Sequence, residues 1–463
     1  MLPKKKIHFE VSERKILLRA FDIISVFLSL YIVSSSFEFG YFKISQTNFY
    51  WIFVLALYIN VLGSIFEMYN LQVASNQFQI VKSIVLTSFT TVFFYLLTPF
   101  YTPMLPSNRL QIVYFFLAIF FGLFFWRLFY QKYLASHRFE KRALLVCGND
   151  QLEELYLGLA KIDPHYKILA YLDTNHQERS SLKSKIPAIN ILEIDEYVQK
   201  NGISELVVAT QDTETITVAL YNKLLLFLES GYSIKEYTQV YENITYRIPI
   251  QYVSRDFYRF FPFSRSNQNQ LYLVMVRAME IIVSLIGLSV GLCLIPFIVI
   301  GNAIGNAGSL FYTQQRVGKN GKAFNIIKFR TMVKNAEKNG AVFATSNDAR
   351  ITPFGKFLRK SRLDEFPQFI NILKGEMGVI GPRPERPVFV ERIAEVMPFY
   401  QTRHVIKPGL TGWAQVNYSY GDSIDDSLIK LQYDLYYIKH RSVFLDLNIS
   451  IKTLSTILFY RGQ

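Results

Sequence analysis

Two adjacent carboxylates, Asp364 and Glu365, lie in the run Ser361-Arg-Leu-Asp-Glu-Phe-Pro-Gln368, among Lys356, Arg359, Lys360 and Arg362. Basic neighbours hold carboxylates ionised, which would leave one free to attack phosphorus and the other to hold a divalent cation. The pair also suits plain structural work, because acidic side chains favour the positive end of a helix dipole. Ser361 to Asp364 fits a capping box, and Pro367 is tolerated only in a first turn, so the sequence predicts both carboxylates at a helix start. There the N-terminal field could receive a phosphoryl group beside the nucleophile.

Three further segments set basic residues in extended or rigid surroundings. Phe324-Asn-Ile-Ile-Lys-Phe-Arg-Thr-Met332 places Lys328 and Arg330 on one face of an extended run, where they could grip a diphosphate or simply stand solvated. In Gly378-Val-Ile-Gly-Pro-Arg-Pro384 two prolines fix the backbone around Arg383, which lowers the entropy lost when its planar fork grips a phosphate; any rigid turn would use them too. Lys407-Pro-Gly-Leu-Thr-Gly412 joins glycines that permit close backbone approach to a Lys and a Thr able to meet oxyanions. None of the three is a Walker loop.

The elements that must carry these residues follow from length and composition. The 463 residues allow about three domains. A hydrophobic content of 51% and a mean hydropathy of +0.18 exceed soluble averages, with the excess in the first 130 or so residues and near position 290, so the chain reads as an integral membrane protein. From position 310 onward Lys and Arg outnumber Asp and Glu by 23 to 13, a field that would attract anionic headgroups, lipid phosphates or nucleotide diphosphates. Nucleic acid is not expected as a partner, because the basic residues are scattered among Gly and Pro and not grouped in a reading helix or aromatic RNA motif. Cys147 and Cys293 fall in a strand-like run and a membrane segment, which makes a disulfide implausible and the soluble parts cytosolic.

Apolar stretches at 16–37, 49–66, 80–100 and 110–130 are each near the ~20 residues that cross a bilayer, although Arg19 and Asp22 interrupt the first. Basic residues precede the block (Lys4, Lys5, Lys6, Arg14, Lys15) and follow it (Arg127, Lys132, Arg138, Lys141, Arg142), so both of its ends should face the cytosol. No small-residue cleavage site follows Met1 to Lys6, and the first stretch is expected to be retained as an anchor. Beyond Arg142, strands are predicted at 143–147, 168–172, 206–209 and 234–237, with helices from the Gly148 turn to Lys161 and at 194–200 and 216–230. This βα alternation is Rossmann-like, but its first turn has one glycine where the dinucleotide fingerprint needs three. The segment 246–270 suits a surface linker. The apolar segment 278–305 is expected to be interrupted by Gly287, Gly291 and Pro296, and has basic flanks on both sides (Arg255, Arg259, Arg265, Arg277; Arg316, Lys319, Lys322). Equal flanks favour a hairpin returning to the same face, whereas hydropathy alone favours a spanning helix.

The ordered set Lys-Phe-Arg-Thr-Met, Arg-Leu-Asp-Glu-Phe-Pro-Gln, Gly-Pro-Arg-Pro and Lys-Pro-Gly-Leu-Thr-Gly-Trp-Ala-Gln, followed by Tyr433-Asp-Leu-Tyr-Tyr-Ile438 and Leu445-Asp446, resembles the bacterial sugar transferase family of polyprenyl-phosphate (undecaprenyl-phosphate) glycosyl-1-phosphate transferases. The upstream part resembles the family's long form in layout. The resemblance implies that Asp364 is the nucleophile attacking the sugar-bearing phosphate of a nucleoside diphosphate sugar, with UDP-sugars as the expected donors, a covalent phosphosugar aspartyl intermediate and polyprenyl phosphate as acceptor. It implies that Glu365, with Asp364 beside it, holds Mg²⁺ or Mn²⁺, that Arg383 binds phosphate with Lys328, Arg330 and Lys407 in lesser support, and that Pro296 breaks a re-entrant hairpin.

The expected architecture is therefore a multidomain membrane protein: a transmembrane four-helix block over 1–136, a Rossmann-like α/β domain over 137–245, an interfacial linker over 246–276, a re-entrant membrane hairpin over 277–309 and a mainly helical α/β catalytic domain over 310–463. It would work on the bacterial inner membrane, facing the cytosol, in contact with membrane lipids, and the four-helix block or central domain could pair two copies as a homodimer. Two other functions stay open from the residues: a scaffold or chain-length regulator of polysaccharide machinery, and a membrane-anchored nucleotide-sugar oxidoreductase.

Overall fold

The structure is a computed structural model and describes residues 11–37, 39–69, 74, 77–134, 141–148, 152, 155–156, 166–173, 186–209, 216–250, 269–306, 308–334, 336, 348–418 and 424–458. The chain forms two compact units, Met1–Thr245 and Tyr246–Gln463.

The first unit opens with α1 (Val11–Ser36), α2 (Tyr50–Ile65), α3 (Gln77–Leu97) and α4 (Leu110–Phe129). All but α2 hold a stretch long and apolar enough to cross a membrane; α2 is a shorter apolar helix. Leu55, Ile59, Tyr95, Phe115 and Ile119 fill the space between the helices. Gly122 lets α4 lie directly on α1: a Cβ there would sit 2.9 Å from the Val26 Cα, and the Ser25 hydroxyl donates to the Gly122 carbonyl at 2.9 Å. Asp22 is fully buried and paired with Arg127 at 2.6 Å. Arg127, counted in the sequence among the basic residues flanking the block, is thus inside α4 and neutralises the charge that interrupts α1.

A parallel sheet follows, built from β1 (Lys141–Cys147), β2 (Tyr166–Asp173), β3 (Ala188–Ile189), β4 (Glu205–Val208) and β5 (Ser233–Glu236) in the order β3-β2-β1-β4-β5. Between β3 and β4 runs α5 (Ile194–Asn201), between β4 and β5 runs α6 (Val218–Glu229), and α7 (Tyr237–Thr245) closes the unit. The central strand is apolar without alternation because it is covered on both faces, and 143–147 is fully buried. Left-handed Gly202 (φ 61°) ends α5, and the Thr217 hydroxyl caps α6 by accepting from the Leu220 N–H. The two-residue β3, absent from the sequence expectation, is too short to show a period. The turn after Gly148, most of the helix expected to reach Lys161, and linker residues 251–268 lie outside the described residues.

The second unit hangs on α8 (Gln270–Gly305), a single helix of 36 residues with Pro296 inside it. At 1.5 Å per residue its contour is about 54 Å, well beyond a ~30 Å hydrocarbon core. Near its start the two Arg277 Nη atoms donate to the Ile372 and Leu373 carbonyls at 2.7 Å each, and at its end Asn302 donates to the Gly308 carbonyl and Asn306 to the Arg330 carbonyl at 2.6 Å. Its outer face, including Val274, Leu285, Phe297 and Ile304, is exposed and apolar. Gly287 and Gly291, expected to interrupt the segment, leave it continuous: they form hollows for Phe369 and Phe366, and a Cβ at Gly287 would come within 2.4 Å of the Phe369 ring.

Against α8 pack an antiparallel hairpin, β6 (Phe311–Val317) and β7 (Ala323–Phe329), then α9 (Pro353–Lys360) and α10 (Gln368–Lys374). β8 (Gly378–Ile380) and β9 (Gly409–Thr411) pair in parallel, with α11 (Pro387–Val396) and a 3₁₀ segment Pro398–Val405 between them. The unit ends in α12 (Trp413–Asn417), α13 (Ile424–His440) and α14 (Val443–Leu458). Phe389, Ile393, Tyr400, Trp413, Leu431, Leu435 and Ile449 form its largest core cluster.

Candidate active site

Asp364 and Glu365 stand on a single 3₁₀ turn, Leu363–Glu365, between α9 and α10. The capping box expected from sequence is not used as one: Ser361 closes α9, and its hydroxyl donates back to the Phe357 and Leu358 carbonyls at 2.9 and 3.1 Å. Arg362 follows in the left-handed region (φ 59°, ψ 12°), a conformation that costs a non-glycine residue roughly 1 kcal/mol or more. That one residue reverses the chain, so the carboxylates face inward and do not continue the exposed side of α9. Pro367 then opens α10.

The turn is wedged from behind. Leu294, Ile295 and Ile298, which flank Pro296, share an apolar cluster with Leu363 and Phe366, the residues on either side of the dyad. From the front, β7 is fastened to α10 by fully buried Asn371, which accepts from the Ile327 N–H at 3.1 Å and donates to the Asn325 carbonyl at 2.8 Å and to Glu376 at 2.7 Å. This tie brings Lys328, one residue beyond Ile327, to 3.4 Å from Glu365 Oε1. Arg383 reaches the same oxygen at 3.5 Å and Arg362 at 4.0 Å.

The two carboxylates sit in opposite electrostatic settings. Burial pushes Asp364 up to about 6, the charge on Glu365 adds to the shift, and Lys328, Arg359 and Arg362 oppose it. For Glu365 burial also acts upward, but Lys328, Arg383 and Arg362 outweigh it and hold the group at about 2. Lys328 is pulled below the ordinary lysine value by desolvation, against the attraction of Glu365. Asp364 Oδ1 is buried and has no hydrogen-bond partner among the described residues. An orphaned carboxylate oxygen beside an ionised carboxylate is a hard-oxygen donor set that fits Mg²⁺ or Mn²⁺. Among the described residues no cluster of three or more His, Cys, Asp or Glu gathers; two carboxylates from the protein are a set magnesium accepts when phosphates fill its other positions.

Of the residues singled out from sequence, the structure thus brings Asp364, Glu365, Lys328 and Arg383 together. Arg330 is placed elsewhere: it is buried, its Nε donates to the Ser309 carbonyl at 2.8 Å, and its Nη2 binds the Asn306 carbonyl. Lys328 and Arg330 therefore part company at the end of β7. Lys407 lies 4.0 Å from Glu280 on α8, which also pairs with Arg277 at 3.2 Å. Sequence reasoning missed Asn371, whose buried amide has no local signature, and Arg316 and Arg403, which hold the Arg383 loop; Asp434 stood in a quoted motif without a role.

A sequence model described as "Bacterial sugar transferase" matches residues 271–460, and one described as "CoA-binding domain" matches 64–218. A UDP-N-acetylgalactosamine-undecaprenyl-phosphate N-acetylgalactosaminephosphotransferase of Aeromonas hydrophila is 39% identical over 220 residues, 48% of this chain and 51% of that protein. A Bacillus subtilis (strain 168) protein with the provisional name undecaprenyl-phosphate N-acetylgalactosaminyl 1-phosphate transferase is 44% identical over 153 residues, 33% of this chain and 86% of its own length. The galactosyl transferase CpsE of Streptococcus agalactiae serotype III (strain NEM316) is 27% identical over 361 residues, covering 72% of this chain and 76% of the relative. The match thus spans about half of the Aeromonas relative and most of the Bacillus one. The chain belongs to the bacterial sugar transferase family. Its upstream helices and parallel sheet give it the layout of the family's long form.

Proposed function

We propose that the protein transfers a sugar 1-phosphate from a nucleoside diphosphate sugar to polyprenyl phosphate, beginning lipid-linked glycan assembly. The observation that carries this reading is the asymmetry of the dyad: Asp364 is desolvated with an oxygen unpaired among the described residues, and Glu365 is held ionised among three cations. A desolvated carboxylate is the stronger nucleophile, and fixed cations stabilise charge that develops on the diphosphate.

Asp364 attacks the phosphorus bearing the sugar, and the bond from that phosphorus to the nucleoside monophosphate breaks, its electron pair leaving with the monophosphate. A phosphate oxygen of the polyprenyl carrier then attacks the same phosphorus and displaces the Asp364 carboxylate, giving polyprenyl diphosphosugar. Lys328 and Arg383 orient the diphosphate and offset its charge. A divalent cation, when bound at Glu365 and Asp364, supplies further neutralisation of the phosphates.

Topology agrees with this chemistry. A straight 54 Å helix through the bilayer would part its ends, yet both ends of α8 are bonded to one soluble unit while the outer face is apolar. This supports a helix that enters the inner leaflet and returns, bent at Pro296, so that the dyad meets cytosolic nucleotide sugars and lipid phosphate together. The name of the Aeromonas relative nominates uridine diphosphate donors. The test is a panel including UDP-N-acetylgalactosamine, UDP-glucose and UDP-galactose incubated with undecaprenyl phosphate and Mg²⁺: release of UMP with one donor is expected, and no release with any donor would overturn the proposal.

A further inference from the structure

A buried ion pair lies behind the Arg383 loop. Arg403, in the 3₁₀ segment, meets Asp434 of α13 at 2.7 Å, with side chains 4% and 2% exposed. Its Nη1 donates to the Tyr400 hydroxyl at 2.5 Å, and its Nη2 also donates to the Arg383 main-chain carbonyl at 3.0 Å. On the next peptide, Arg316 Nη1 donates to the Pro384 carbonyl at 3.1 Å and sits 3.5 Å from Glu385. The Val317 N–H donates to the Glu385 carbonyl at 2.9 Å. Three successive carbonyls are therefore held from outside the loop.

The sequence explains why such clamps are needed. Proline rings fix φ at 382 and 384 but leave the Arg383 ψ free within the extended region. The peptide joining Arg383 to Pro384 has no N–H, so hydrogen bonds can orient it only through its carbonyl. Arg403 occupies that carbonyl. Buried ion pairs are often replaceable by apolar side chains without loss of stability, so stability alone is a weak reason to place a guanidinium here.

We infer that Arg403, braced by Asp434 and Tyr400, is a positioning residue for Arg383, fixing the peptide from which the Arg383 side chain reaches the phosphate subsite beside Glu365. The inference rests on the proposed transferase activity and on Arg383 as a phosphate ligand. It makes Arg403 act through Arg383 and through nothing else at the site.

A double-mutant cycle with the full-length protein and the best donor of the panel tests this. Arg403→Lys keeps the charge, but one ammonium cannot replace a fork serving Asp434, Tyr400 and the carbonyl. It should lower kcat/KM for the nucleotide sugar roughly tenfold or more, as displaced substrate-binding groups do, measured at a temperature below the melting point, which the partners left unpaired will lower. In an Arg383→Ala background the same substitution should have no further effect, because residues acting as one unit are non-additive. Equal losses in both backgrounds, or an Arg403→Lys protein as active as wild type, would overturn the inference. If Arg403→Lys does not fold, Tyr400→Phe, which removes one brace and keeps the fork, goes through the same cycle with the same expected pattern. Should Arg383→Ala alone match wild type while Asp364→Asn is inactive, the positioning role falls and the transferase proposal stands; an active Asp364→Asn removes the catalytic mechanism itself.

Discussion

Lys328 and Arg383, 55 positions apart in sequence, approach the same oxygen of Glu365 at 3.4 and 3.5 Å. Neither contact is local: one depends on the Asn371 tie between β7 and α10, the other on a loop clamped by Arg316 and Arg403. The convergence leaves Glu365 saturated with positive charge, and Asp364, one residue earlier, with an oxygen that none of the described residues satisfies.

Asp364→Asn should abolish sugar-phosphate transfer, a loss of at least about 1,000-fold, because an amide cannot form the acyl phosphate. The fold should survive, since the substitution removes a desolvated charge. Rapid quenching followed by proteolysis and mass spectrometry should find the phosphosugar adduct on the wild-type peptide and none on the variant. Normal turnover by wild type with no adduct at this position would count against the mechanism.

The pH dependence has a fixed sign. The attacking carboxylate must be ionised, and burial with the neighbouring Glu365 charge places Asp364 at about 6, so kcat/KM should fall about tenfold per unit below that value and level off above it. Glu365, held at about 2, stays ionised across the range and adds no second limb. A profile that is flat from about pH 5 to pH 8 would contradict the assignment.

Glu365→Gln should shift the magnesium titration, raising the half-saturating concentration roughly tenfold or more, because one of the two carboxylate ligands is lost. An unchanged titration would show that Glu365 does not hold the metal.

Lys328→Ala and Arg330→Ala should separate activity from stability. Loss of Lys328 removes a charge beside the developing phosphate and should lower kcat/KM about 100-fold with little change in melting. Loss of Arg330 leaves the buried Asn306 carbonyl without its guanidinium donor and should cost roughly 1–3 kcal/mol of stability. The reverse pattern, with Arg330 affecting the donor KM and Lys328 affecting melting, would refute the division.

Gly287→Ala places a Cβ 2.4 Å from the Phe369 ring and should destabilise the second unit by about 1–3 kcal/mol. Gly40→Ala, where nothing lies within 4 Å, serves as the control. Thermal unfolding in detergent compares them, and equal melting of both variants would deny the close seat of Phe369 on the helix.

Much of this site could be read from the chain because its chemistry is concentrated in short, rigid words. Asp364, Glu365 and Arg383 each stand in a run whose prolines and charges single them out, and the structure gathers them at one place. The apolar helices and parallel strands were equally legible from their periodicity. What stayed hidden was long-range. Nothing near Arg330 tells that its fork turns to Asn306 while Lys328 turns to Glu365, and Arg127 looks like a flanking charge until Asp22 is found beside it. Gly287 and Gly291 carry the signature of a break, but two phenylalanines some 80 residues later decide that they are seats.

The exposed apolar side of α8 has a practical consequence for anyone dissecting the protein. A fragment from Tyr246 onward would still carry its own greasy keel, bolted to the chemistry at Gly287, Gly291 and Arg277. Such a fragment would be expected to sediment with vesicles and to need detergent in the tube, even after every helix of the amino-terminal block had been cut away.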